Sequence, residues 1–79
     1  MAFSPDDYEI AQGICLDALE RLHKAKLDEQ SGLAAFLTTA MHATYAMAPS
    51  EEVADEMIAL ARNMAEEDWA EEQKKRGTA

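Results

Sequence analysis

The chain is 79 residues long, carries a net charge of −9 and contains one cysteine, Cys15. This length allows one domain at most. A chain this short buries only about 60% of the surface that its unfolded form exposes, so it usually gains stability from disulfides, a metal or another chain. A disulfide within the chain is excluded because Cys15 has no second cysteine to pair with. The excess of carboxylates disfavours direct binding to nucleic-acid phosphates and to anionic lipid.

The first predicted helix covers residues 5–27. Ser4 is a good N-cap, and Pro5 suits the first helical position. A broad apolar stripe follows at helical spacing; its members are Tyr8, Ala11, Ile14, Cys15, Ala18, Leu19, Leu22 and Ala25. Leu16 and Leu27 lie outside this stripe and are candidate contacts with a partner.

The second predicted helix, residues 32–48, lies in a segment without charge, because residues 31–50 contain no Asp, Glu, Lys or Arg. Ser31 is its predicted N-cap, and Pro49 ends it. One face is large and apolar and contains Leu33, Phe36, Leu37, Ala40, Met41, Thr44, Met47 and Ala48. The opposite side consists of small residues and a histidine: Ala35, Thr39, His42, Ala43 and Ala46.

Each helix of a three-helix bundle exposes one face to water, but this uncharged helix has no charged face to expose. The short connections favour antiparallel neighbours, so the sequence predicts an all-α protein with one domain, residues 1–76, arranged as an up-down-up bundle of three helices. A homodimer formed through the second helix would cover its remaining surface. The small-residue side supplies the candidate contacts, because small side chains allow two helix backbones to approach closely.

The third predicted helix covers residues 51–73, with Ser50 as its N-cap. Its inward face contains Val53, Ala54, Met57, Ile58, Leu60, Ala61, Met64 and Ala65. Its outer, acidic face is formed by Glu52, Asp55, Glu56, Glu66 and Glu67. Trp69 borders the inward face and is a further candidate contact, because tryptophan is frequent at interface hot spots. Residues 77–79 are expected to fray.

The sequence predicts neither a membrane span nor a signal peptide. The apolar run of the second helix is about 16 residues, shorter than the ~20 that a span needs, and it includes threonines and His42. The chain does not start with the basic region and apolar run of a signal peptide. Together with the single cysteine, these features predict a cytoplasmic protein.

A catalytic site is not expected. Glu20 and His23 have the Glu-x-x-His spacing of di-iron carboxylate bundles, but such a site needs two copies and further glutamates. A metal-binding dimer using this pair is a remote alternative. His42 has no thiol, carboxylate or second histidine at helical spacing, and Cys15 lies among apolar residues far from an activating helix N-terminus. The sequence therefore predicts a protein that is not an enzyme and needs no cofactor.

Protein–protein association is the predicted function, in the role of a regulator, an adaptor or an accessory subunit. The mechanism would be docking of helix faces, through the second helix or around Trp69. A sharper alternative is an acidic inhibitor that occupies the basic nucleic-acid-binding surface of a partner enzyme, as some phage-encoded antagonists do. In that case the acidic face of the third helix would make the contact.

Overall fold

The computed structural model describes residues 3–77, and they form three helices without a strand among them. Helix α1 is Pro5–Lys24, α2 is Glu29–Met47 and α3 is Glu51–Gly77. The all-α prediction is therefore confirmed. Among the described residues, no helix has the length and apolar character needed to cross a membrane.

The chain divides into two compact units, and the division falls inside α2, between Phe36 and Leu37. The first unit contains α1 and the beginning of α2. The second contains the rest of α2 and all of α3. The prediction of a single domain stays a prediction.

Helix α1 begins as predicted and ends earlier. The hydroxyl of Ser4 accepts a hydrogen bond from the backbone N–H of Asp7 at 3.3 Å, which is the expected N-cap contact. At the other end, Lys26 has a φ of 58°, in the left-handed region that commonly terminates helices. This position usually holds glycine, so a lysine there gave no stop signal, and the predicted end at residue 27 is three residues too late.

Helix α2 begins at Glu29 because Asp28 is its N-cap. The carboxylate of Asp28 accepts hydrogen bonds from the backbone N–H of Ser31 at 2.9 Å and from its hydroxyl at 2.8 Å. Ser31 was predicted to be the cap itself, and that assignment is wrong. Aspartate and serine are both good N-caps, and the upstream residue of the two satisfies the free N–H groups.

The capping contact predicts an acid-sensitive component of stability. The backbone N–H of Ser31, and then its hydroxyl, lower the pKa of Asp28 below its ordinary value of 3.8. A lowered pKa in the folded state gives stability that is present above the ordinary pKa and is lost as the pH falls through the folded one. We expect Asp28→Asn, which can still cap but cannot titrate, to remove this loss from an acid titration followed by circular dichroism. Asp17→Asn, in the middle of α1, is the control and should keep the acid-induced loss of stability.

Helix α3 starts at Glu51, and the hydroxyl of Ser50 accepts a hydrogen bond from the backbone N–H of Val53 at 3.2 Å. The predicted cap is confirmed. The helix extends through Gly77, four residues beyond the predicted end. Three cations lie in its last turn, where the helix dipole favours positive charge. Of the tail predicted to fray, Gly77 is helical, and residues 78–79 lie outside the described part of the chain.

The three predicted inward faces are oriented correctly, but they are much less covered than expected. Ala54 is the one buried residue in the range 3–77. The half-buried residues are Ala18, Leu19, Leu22, Gly32, Phe36, Thr44, Ala48, Val53, Ile58 and Met64, and all except Gly32 belong to those faces. Large neighbours on the same faces stay mostly exposed: Ile14 by 66%, Leu37 by 61% and Leu60 by 59%. Cys15, predicted to lie in the apolar stripe, is exposed as well.

Candidate interaction surfaces

The second unit is a helical hairpin whose two arms are joined close to the turn. The hydroxyl of Tyr45, on α2, donates a hydrogen bond to the carboxylate of Asp55, on α3. Asp55 therefore does more than contribute to the acidic face, the role that the sequence predicted for it. Thr44 donates its hydroxyl proton to the carbonyl of Ala40 at 2.8 Å, so this side chain is satisfied within its own helix.

The Tyr45–Asp55 contact predicts a loss of stability at high pH. The hydrogen bond to Asp55 is the main cause that raises the pKa of Tyr45 above its ordinary value of 10.0, followed by desolvation and the charges of Asp55 and Glu51. A raised pKa means that the folded state holds the proton more tightly, so the contribution is present below pH 10.0 and is lost as the pH rises through the folded value. We expect Tyr45→Phe to abolish this component of alkaline unfolding, measured by circular dichroism. Tyr8→Phe should leave it unchanged.

An apolar groove lies between the two arms of this hairpin, with a volume of about 680 Å³. Its lining residues from α2 are Leu37, Ala40, Met41 and Thr44, and those from α3 are Met57, Ile58, Ala61, Arg62 and Ala65. We call this surface the hairpin groove. Leucine and methionine side chains form much of it, while alanines make it accessible to a close neighbour. Arg62 is the one charged residue among those that line it, and its guanidinium pairs with Glu66 at 3.2 Å along α3.

The side of α2 predicted to mediate self-association faces away from the hairpin groove. At 100° per residue, Ala35, Thr39, His42, Ala43 and Ala46 lie on the opposite side of the helix from Leu37 and Met41. All five are exposed. Their role in self-association stays a prediction, and the chain thus offers two distinct uncharged surfaces on one helix.

A second, smaller groove lies in the first unit and has a volume of about 300 Å³. It is lined by Leu19, Leu22, His23, Leu27, Asp28, Glu29, Gly32 and Leu33. The predicted first helix, which reaches residue 27, puts Leu27 outside the apolar stripe. Since the helix ends at Lys24, the direction of Leu27 is not set by the helical period. Leu16, the other stray leucine, is 60% exposed.

The acidic residues of α3 form a stripe, of which Glu52, Glu56 and Glu67 lie on the side away from the hairpin groove. At 100° per residue, they fall within a sector of about 120°; they are Glu52, Asp55, Glu56, Glu66 and Glu67, and all are exposed. Two of them have intramolecular partners, because Glu66 pairs with Arg62 and Asp55 accepts from Tyr45. Glu52, Glu56 and Glu67 are therefore accessible from a different direction than the hairpin groove, whereas Asp55 and Glu66 lie beside it.

Trp69 is exposed by 57% and lies against a cation of its own helix. The guanidinium carbon of Arg76 is 6.0 Å from the centre of the indole, within the range of a cation–π contact. Arg76 also pairs with Glu72 at 2.7 Å. The extension of α3 beyond residue 73 creates this arrangement, which the predicted helix did not contain. The use of Trp69 as a contact with a partner stays a prediction.

Glu20 and His23 contact other side chains and not each other. Glu20 pairs with Lys24 at 3.0 Å, and Nδ1 of His23 lies 3.9 Å from a carboxylate oxygen of Glu29. All four side chains are exposed, so these contacts are weak. Within residues 3–77, no group of three His, Cys, Asp or Glu side chains is arranged to hold a metal ion.

Comparison of the chain with protein-family models, with curated proteins and with solved structures finds no match in any of the three. The candidate surfaces are therefore argued from their own chemistry. Sequence reasoning found the acidic stripe and the uncharged helix. It missed the hairpin groove as a surface, because the residues that line it were assigned to a closed core.

Proposed function

We propose that the chain is a small, acidic, non-catalytic helical protein that acts through contacts with other protein chains, as a regulator, an adaptor or an accessory subunit. The observation that carries this proposal is the exposure of the apolar helix faces. Leu37, Met41 and Met57 line one apolar groove, and they are exposed by 61%, 42% and 40%. Contiguous apolar surface rimmed by polar residues is typical of a site for another protein.

Self-association is the simplest form of this function. The short connections favour antiparallel neighbours, so we propose an up-down-up order of the three helices that is completed by homodimerisation through α2. The absence of charge in residues 31–50 supports this role, because two copies of a chain with a net charge of −9 repel each other elsewhere. The small chain length supports it too, since oligomerisation supplies the burial that a single short chain lacks.

The test is the dependence of unfolding on protein concentration. Helices that are stabilised by association unfold at a temperature that rises with concentration, whereas a self-sufficient monomer unfolds at a constant one. We expect a rising midpoint by circular dichroism, together with a mass above that of one chain in sedimentation equilibrium. A monomer of constant, cooperative stability would contradict the proposed self-association.

The position of the acidic stripe favours a second candidate function, the inhibition of a partner with a basic surface. Because Glu52, Glu56 and Glu67 lie on the side of α3 away from the hairpin groove, they stay accessible when the groove is covered. A row of carboxylates can occupy a surface that otherwise holds nucleic-acid phosphates. No direct contact between this chain and nucleic acid is implied.

Binding to an oligolysine peptide at low salt tests this second function. We expect Glu56→Gln/Glu67→Gln to weaken the binding, and a rise in salt to weaken it further. The matched control is Glu9→Gln/Asp17→Asn, which removes the same charge from α1. Equal effects of the two double variants would show that net charge, and not the stripe, attracts the peptide, and would contradict this function.

A further inference from the structure

We infer that Trp69 and Glu72 form a recognition site for an arginine side chain of a basic protein segment, and that Arg76 occupies this site in the free chain. The inference rests on the second candidate function, the inhibition of a partner with a basic surface. It adds the chemistry by which one side chain of that partner is recognised. All three residues lie in the last part of α3, inside the second unit.

An arginine of this chain already shows how a guanidinium binds there. The guanidinium carbon of Arg76 is 6.0 Å from the centre of the Trp69 indole, and its Nη2 is 2.7 Å from a carboxylate oxygen of Glu72. One cation thus contacts an aromatic ring and a carboxylate at the same time. Arginine suits such a site better than lysine, because its guanidinium is flat enough to stack on a ring and presents several N–H groups to a carboxylate.

The site is accessible for exchange of its occupant. Trp69, Glu72 and Arg76 are all exposed. An ion pair at the surface is weak, because water competes for both charges. An arginine from another chain can therefore replace Arg76 over the indole while α3 stays helical. The ring and the carboxylate keep the same type of partner after the exchange.

The charges around Trp69 favour a basic occupant. The segment from residue 66 to residue 72 contains five carboxylates and no cation. Two of these carboxylates, Glu66 and Glu72, lie one turn before and one turn after Trp69, on the same side of α3. An acidic segment would meet like charge there, whereas a basic segment is attracted by the net charge of −9 and supplies the cation that replaces Arg76.

Titration of the native protein with hexa-arginine and with hexalysine tests the inference. Trp69 is the one tryptophan of the sequence, so its fluorescence reports directly on the ring, and calorimetry gives the affinities. In sodium chloride at about 0.15 M, where charge attraction at a distance is screened, we expect hexa-arginine to bind about fivefold more tightly than hexalysine and to change the emission. Trp69→Leu, measured by calorimetry, should bind the two peptides equally.

A pair of matched variants tests whether Arg76 occupies the site. Arg76→Gln removes the occupant, and Lys75→Gln removes the same charge one residue away. We expect Arg76→Gln to strengthen the binding of hexa-arginine about fivefold, because the peptide no longer competes with it, and Lys75→Gln to change the binding less than about twofold.

Three results would overturn the inference: equal affinities of the two peptides for the native protein, an arginine preference that persists in Trp69→Leu, or equal effects of Arg76→Gln and Lys75→Gln. The second candidate function would still stand if oligolysine binding at low salt depended on Glu56 and Glu67. Failure of both peptides to bind at low salt would contradict the inference and that function together.

Discussion

Replacing Ala54 by glutamate is expected to cause a large loss of stability. Ala54 has no exposed surface, so the new side chain has no room and its carboxylate no access to water. Overpacking a filled position costs about 1–3 kcal/mol, and burying an unpaired polar or charged group adds a comparable amount. We therefore expect Ala54→Glu to lower the free energy of unfolding by about 3 kcal/mol, measured by urea unfolding at a fixed protein concentration. That is a large fraction of the stability of a small domain.

Ala59→Glu is the matched control for this prediction. It makes the same chemical change on the same helix at an exposed position. Surface substitutions usually change stability by about 0.5 kcal/mol or less. If both variants lost the same amount, the cause would be charge or helix propensity, and the burial of Ala54 would not explain it. If Ala54→Glu left the free energy of unfolding unchanged, this position would be open to water in solution.

The sequence predicted the helices well because caps and apolar periodicity are local signals. Ser4 and Ser50 act as N-caps through contacts with backbone groups three residues away, so their effect is visible in a short segment. The errors occurred where two signals competed or one was missing. Asp28 and Ser31 both qualify as caps, and Lys26 adopts a left-handed conformation that its residue type does not announce.

Burial was harder to predict than helix orientation. The period of 3.6 residues shows which side of a helix is apolar, and nearly all half-buried residues lie on the predicted sides. The period does not show what covers that side. Leu37 and Met41 were assigned to a core within the chain, but they line an open groove. The Tyr45–Asp55 contact was missed for the same reason, since it joins two helices and leaves no pattern in either one.

Salt is expected to strengthen self-association of this protein and to weaken its binding to a basic partner. Two chains with a net charge of −9 repel each other at low ionic strength. The Debye length falls from about 30 Å at 0.01 M to about 8 Å at 0.15 M, so salt screens this repulsion, while an uncharged interface has no ion pairs to lose. We expect the association constant to rise about tenfold over this range in sodium chloride, equivalent to about 1.4 kcal/mol, when it is measured by sedimentation equilibrium.

The variant Glu56→Gln/Glu67→Gln provides the control for the salt titration. It removes two negative charges outside the hairpin groove, so its association should be stronger at low salt and should depend less on salt than that of the native protein. Association that weakens as salt rises would mean that ion pairs hold the copies together, which contact between uncharged helix faces does not allow. Whether the association constant rises or falls with salt thus distinguishes contact between uncharged helix faces from contact through the acidic stripe.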